Sequence, residues 1–283
     1  MTEKSSILDT LNKYISNQKN FPVLHPDAAK LQGEITKKDP DLSRVKRLIL
    51  NDPTLTGEIL KIANSPYYKG LGEVSTIKEA SLRLGNDELY GIIIRVILRK
   101  NFSSKIPIIK KRQDQLWTHS VAVAFASLWL CRHLKIMDLT SKAFIAGLLH
   151  DMGKLCLLSA IEQFMSDEQD NGQLTADLIE KILTNLHAKQ GCDLLSSWNI
   201  PNTYCEIARD HHMDNYEESD TLMVVVRLAD MVCKKLEAAS PQEDLTFIMG
   251  SREADILGVK ETSIALLEIA MEDAHIFQAA SPR

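Results

Sequence analysis

Seven residues in this chain combine side-chain chemistry and surroundings suited to holding a cation: His119, His150 and Asp151 within GLLHDMGK, His187, the pair His211 and His212, and Asp230 within VVVRLADMV. Imidazoles and carboxylates set among Leu, Val and Ala are costly to bury unless something compensates them. A metal ion supplies that compensation. His150 and Asp151 are adjacent, and adjacent helical side chains diverge by about 100°. Both reach one cation only if the helix bends there; otherwise the aspartate lies between two cations. Nitrogen and oxygen donors without thiolate suit Fe, Mn, Ni, Co or Zn better than Ca. A bridging carboxylate suits a pair of ions that activates water for attack on phosphorus.

Each residue also has a plainer role open to it. His119, near Val121 and Val123, fits a hydrogen-bonded core histidine, and His187 shares a face with Gly191, Leu194 and Leu195 that simple packing would explain. One of His211 and His212 can be merely exposed. Asp230 can cap a helix or pair with Arg227, and Lys154, one turn past His150, can be a surface lysine. His25 and His133 read as surface or capping residues.

The elements that must position these groups are helices. Only 12 Gly and 9 Pro in 283 residues, 6% aromatics and long runs of Leu, Ile, Ala, Lys and Glu predict an all-α protein, with 45% hydrophobic residues to build its core. Asp41 is placed to cap a helix carrying Leu42, Val45, Leu48 and Ile49. Asn51-Asp52-Pro53 starts another, ending near Asn64. Thr76 caps a short helix through Leu84 that Gly85 closes, and Asp87 to Arg99 has a broad apolar face. Further helices are predicted from about Gln113 to His133, up to His150, from Leu174 to Trp198, Thr203 to His212, Thr221 to Lys235 and Thr262 to Ala274. The tail after Phe277 reads as frayed.

Arg95 to Arg112 holds seven basic residues (Arg95, Arg99, Lys100, Lys105, Lys110, Lys111, Arg112) and no acidic one, interrupted by Ser103-Ser104 and Pro107. It reads as a solvated connector, or as a phosphate- or nucleotide-binding edge. The chain thus divides into an N-terminal lobe, residues 1–104, and a helical bundle, residues 105–283. A net charge of −5 argues against a nucleic-acid grip over the whole surface. Five cysteines (Cys131, Cys156, Cys192, Cys205, Cys233), never spaced as CxxC, read as reduced thiols of a cytoplasmic protein. The N-terminus lacks a signal-peptide stretch, and apolar runs look shorter than a membrane span.

The blocks LWTHS, AFIAGLLHDMGKL, NLHAKQGCDLLSSWNIP, ARDHH and VVVRLAD, preceded by NDPTLTGEILKIANSPYY and VSTIKEASLRLG, resemble the HDOD family in order over roughly residues 20–235. That family is related to the HD metal-dependent phosphohydrolases. The resemblance implies a bacterial signalling protein of two helical lobes, with a phosphate-containing small molecule or a signalling protein as partner. It implies a first divalent metal on His119, His150, Asp151 and Asp230. Through the HD-GYP branch it implies a second on His187, His211 and His212, with Asp151 bridging and Lys154 facing substrate phosphate. The branch's GYP loop is absent: MDNYEESD follows His212, and its four acids (Asp214, Glu217, Glu218, Asp220) would repel a phosphodiester approaching from that side. Metal-dependent phosphohydrolase chemistry is one outcome. A non-catalytic interaction module with a structural HD core is the alternative.

Overall fold

The computed structural model describes residues 13–15, 41, 45, 49–50, 53–65, 68, 72–85, 89, 92–93, 104–167, 174–237 and 245–273. Every regular element among them is helical. His25, Leu42, Leu48, Asn51, Asp52, Arg95, Arg99, Lys100 and Phe277 lie outside the described residues, as does most of the Asp87–Arg99 stretch.

In the N-terminal part, α1 (Pro53–Ala63) and α2 (Ile77–Leu84) pack together. Thr76 and Glu79 close a reciprocal capping box on α2, with the Thr76 hydroxyl accepting from the Glu79 amide and the Glu79 carboxylate accepting from the Thr76 amide. Gly85 ends the helix at φ 81°, a conformation that favours glycine. Ile59, Ala63, Ile77 and Ala80 form one buried cluster with Val45, Ile49, Leu89 and Ile93.

The rest of the described chain is a bundle around α3 (Pro107–His133). The sequence pattern places its start near Gln113 and treats Pro107 as an interruption. Proline instead occupies the first turn, where its missing N–H costs nothing and its fixed φ suits a helix. Residues 107–112 of the basic segment are therefore helical. Arg112 is engaged there, donating to Glu180 at 2.5 Å and to the Ala176 carbonyl at 2.9 Å.

Next come α4 (Thr140–Leu149) and α5 (Met152–Asp167). The sequence reading has no helix at α5, because Leu155, Cys156, Leu157, Leu158 and Ile161 are all buried and leave no amphipathic period to see. Then follow α6 (Ala176–Ser197), α7 (Asn202–Asp210), α8 (Thr221–Glu237), α9 (Leu245–Met249), α10 (Arg252–Leu257) and α11 (Glu261–Asp273). Of these, α5 lies on α6, α3 packs on α4 and α8, and α7 closes against α6. Ile15 is buried with Ile109, Leu158 and Phe164, so residues 13–15 lie on the bundle rather than on the α1–α2 cluster.

One run, Met137–Asp167, meets the length and hydropathy of a membrane span, contrary to the expectation of short apolar runs. Its most apolar window is 83% buried inside the protein. It is also not one straight rod, since α4 ends before His150 and α5 begins after Asp151.

Candidate metal centre

Five segments of the chain deliver the candidate residues to one place. His119 lies on α3, His150 and Asp151 in the turn between α4 and α5, His187 on α6, His211 and His212 just past the end of α7, and Asp230 on α8. The break between α4 and α5 is the bend that adjacent residues need to face a common centre.

The backbone is drawn in tightly around that bend. A Cβ on Gly153 would lie 1.8 Å from the His187 carbonyl oxygen and 2.6 Å from the Gly191 amide nitrogen, so α5 and α6 cross in backbone contact beside His187. A Cβ on Gly147 would come within 2.8 Å of the α3 backbone at Val123 and Ala124, which brings His150 close to His119.

The side chains fall into two groups. Donor atoms of His119, His150 and Asp230 lie within 4.8 Å of one another, as do those of Asp151, His187, His211 and His212. Asp151 faces both. Its Oδ2 is 3.7 Å from His119 Nε2 and 3.5 Å from His150 Nε2; its Oδ1 is 3.4 Å from His187 Nε2 and 3.6 Å from His211 Nε2. Asp230 Oδ1 stands 3.1 Å from His119 Nε2 and 3.9 Å from His150 Nε2. Six of the seven residues are buried; His212 is exposed, with its ring 4.0 Å from that of His211.

Hydrogen bonding fixes which ring nitrogen is presented. The Nδ1–H groups of His150, His187 and His211 donate to main-chain carbonyls of their own helices: Gly147 at 2.7 Å, Leu183 at 2.8 Å and Ala208 at 3.0 Å. That leaves each Nε2 as a lone pair aimed inward. His119 Nδ1 lies 3.0 Å from the Glu237 carboxylate. Among the described residues, the Nε2 atoms of His150, His187 and His211 and Asp151 Oδ1 are buried with no hydrogen-bond partner, while His119 Nε2 and Asp230 Oδ1 face only each other, 3.1 Å apart. Four orphaned atoms and this facing pair, converging from five segments, are costly unless a cation meets them, and their nitrogen and oxygen character fits a divalent transition ion.

Charge follows the same layout. Burial lowers His150 to about 3 and His187 to about 4, with the nearby carboxylates only partly opposing it, so both rings are neutral. Burial also pulls His119 down, but Asp230 and Glu237 on either side outweigh it and hold the ring up to about 10. Burial pushes the carboxyls of Asp151 and Asp230 up. Neighbouring imidazoles and lysines more than offset this, and both stay ionised.

Asp230 does not pair with Arg227. That arginine donates instead to Glu253 and to the carbonyls of His211 and Met213, fixing the end of α7. Lys154 is not a free surface lysine: it donates to Asp151 Oδ2 at 2.5 Å. His133 stacks on Trp129 and meets the Ser263 hydroxyl, away from the centre. Three participants escaped the sequence reading: Lys234, which donates to Asp230 Oδ2 at 2.7 Å; Glu237, beside His119; and Gly153. Only the i, i+4 spacing of Asp230 and Lys234 could have signalled one of them.

A cleft of about 200 Å³ opens beside the centre, lined by residues that include His119, Lys154, Lys234, Glu237 and Arg112. None of the acids of MDNYEESD lines it. Glu218 is paired with Arg252, Asp220 caps α8, and the guanidinium groups of Arg227 and Arg252 lie over the Tyr216 ring. The expected repulsion of phosphate by that loop therefore does not apply at this cleft.

An all-helical bundle enclosing paired histidine–aspartate groups defines the class of protein, and comparison with known proteins names the family. The HDOD domain model matches residues 21–213, and the chain belongs to the HDOD family. An HDOD domain protein of unknown function from Geobacter sulfurreducens has the same fold, with a TM-score of 0.69 at 19% identity over 98% of this chain and 97% of that one. So does a Shewanella amazonensis SB2B protein provisionally named a metal-dependent phosphohydrolase, with a TM-score of 0.67 at 20% identity over 93% of this chain and 100% of that one. An uncharacterized protein of Treponema pallidum (strain Nichols) is 25% identical over 232 residues. The match takes in 80% of this chain but 44% of that relative's length.

Proposed function

We propose that this chain is a metal-dependent phosphohydrolase-type HDOD protein serving a signalling role. In this reading His119, His150, Asp151 and Asp230 hold one divalent cation, and His187, His211, His212 and Asp151 hold a second. The observation that carries it is the set of six buried ligand-type atoms turned toward one another across five segments, four of them without any hydrogen-bond partner. The metals are Fe, Mn, Ni, Co or Zn, and the partner is a phosphate-containing small molecule rather than nucleic acid. The two lobes divide near residue 104, with the chemistry confined to the second.

Such ions, when bound, supply Lewis acidity and a water nucleophile near neutral pH. The protein's own part is preorganisation. Main-chain carbonyls hold three imidazoles in one tautomer, and Asp151 turns one oxygen to each group. Lys154 fixes the Asp151 oxygen that faces His119 and His150, Lys234 fixes the second oxygen of Asp230, and the cleft admits the ester to the side where both lysines stand. The name of the Shewanella relative agrees with this chemistry.

Elemental analysis after loading with each candidate metal should find about two ions per chain, and chelated protein should lose hydrolysis of phosphate esters. Failure to retain any of the five metals overturns the reading. Two retained ions without turnover of any phosphate ester leave the non-catalytic interaction module as the better account.

The charge state of His119 yields a further expected result. Its ring is protonated below about 10 in the metal-free protein, so a cation must displace a proton from it. His150 and His187 are already neutral. Calorimetry around neutral pH, in buffers of different ionisation enthalpy, should register about one proton released from His119. Apparent affinity should rise about tenfold per pH unit until pH approaches that value. A proton count of zero would mean that His119 is neutral before the metal arrives.

A further inference from the structure

We propose that the cleft is a receptor for the terminal phosphate of a monoester, gripped by Lys154 from α5 and by Lys234 from α8. The proposal rests on the metal-centre reading and goes beyond it in naming Lys234 and the ester class.

The two lysines occupy equivalent positions. Lys154 donates to Asp151 Oδ2 and Lys234 to Asp230 Oδ2, so each of the two buried aspartates carries one ammonium. The aspartate side chains are 1% and 7% exposed, whereas those of Lys154 and Lys234 are 18% and 36% exposed and line the cleft. A molecule entering the cleft therefore meets the ammonium groups on the solvent side of the carboxylates. Arg112, on the same wall, is tied to Glu180 and the Ala176 carbonyl and contributes a fixed third cation.

In the metal-free protein the lysines balance the aspartates. Two divalent cations would over-neutralise those carboxylates and repel the ammonium groups toward the cleft, because like charges in a poorly solvated site interact strongly. The result is a concentration of positive charge in the cleft, where Glu180 is already paired with Arg112 and Glu237 lies against His119. An anion of high charge relieves it.

Charge and size together select the ester. A terminal phosphate carries roughly −1.5 to −2 near pH 7 and three acceptor oxygens, enough for two lysines and the centre. A diester carries one charge and brings two organic arms. The cleft, about 200 Å³, falls below the roughly 300–1,000 Å³ of sites that enclose drug-sized ligands. Leu116 and Leu183 offer a short apolar wall for the esterified carbon.

The test uses metal-loaded full-length chain, with metal content measured on every sample, titrated calorimetrically with inorganic phosphate, glycerol phosphate and a cyclic dinucleotide. The first two should bind and the dinucleotide should not. K154Q and K234Q should each weaken phosphate binding by about tenfold or more, the effect of losing one charge-assisted hydrogen bond, while K234R stays near wild type. Wild-type phosphate affinity in K234Q, or a dinucleotide bound as tightly as glycerol phosphate, overturns the proposal. If K234Q sheds its metal, the titration is repeated on K234Q and K154Q reloaded to the wild-type metal content, with wild-type phosphate affinity in both counting against the clamp. Protein that never holds metal but binds phosphate through Lys234 sinks the metal reading and keeps this one.

Discussion

Exchanging Asp151 for asparagine is expected to abolish retention of both cations at once. The side chain is 1% exposed, and its two oxygens lie within 3.4–3.7 Å of four imidazole Nε2 atoms, two in each group. Asparagine keeps the shape but loses the charge and presents one acceptor instead of two. Ions that bind only the folded state stabilise it by mass action, about 2.7 kcal/mol at a hundredfold excess over Kd. For a chain of this size that is a melting-temperature difference of about 5–10 °C between loaded and chelated wild type. D151N should show no difference while retaining its helical circular dichroism, because Lys154 stands at the cleft and can turn to water when its partner is neutralised. A full metal-dependent shift in D151N would refute a shared carboxylate.

The second large effect comes from a single methyl group. Gly153→Ala places a Cβ 1.8 Å from the His187 carbonyl and 2.6 Å from the Gly191 amide, and both obstacles are backbone, so α5 and α6 must move apart. Overpacking against yielding side chains typically costs about 1–3 kcal/mol, and this case should exceed about 3 kcal/mol. The displacement carries His187 away from Asp151, so the second group should lose its ion even under conditions where the chain stays folded. Gly57, in α1, has nothing within 4 Å of its Cβ position. Gly57→Ala is therefore expected to be neutral or to stabilise by up to about 1 kcal/mol. Denaturant unfolding with metal analysis separates the two. Equal midpoints for the two variants would show that the helix crossing tolerates separation.

The amino-acid sequence alone determines the helical class, the caps at Thr76 and Gly85, the family, and the types and order of the residues gathered at the centre. Those features are local or compositional. Helix periodicity, a capping pattern and an imidazole or carboxylate amid aliphatic residues can each be seen within a short window of chain. The same logic explains two misplacements: α5 is buried on nearly every side and shows no period, and Pro107 is read as a break because proline suits both a helix start and a helix end.

Tertiary structure decided what depends on distance between segments far apart in the chain. Asp151 turning one oxygen to each group, Arg227 holding the carbonyls of His211 and Met213 rather than Asp230, and Glu237 beside His119 are all contacts across the bundle. Gly153 looks like any other glycine until the His187 carbonyl is seen against it. The acids after His212 suggested a repulsive rim, yet Arg252 pairs with Glu218 and α8 takes Asp220 as its cap, away from the cleft. Sequence order specifies which donors exist. Only the crossing of α3, α5, α6 and α8 brings their lone pairs to one point and leaves the two lysines on the open side, because a ligand set is a property of convergence in space.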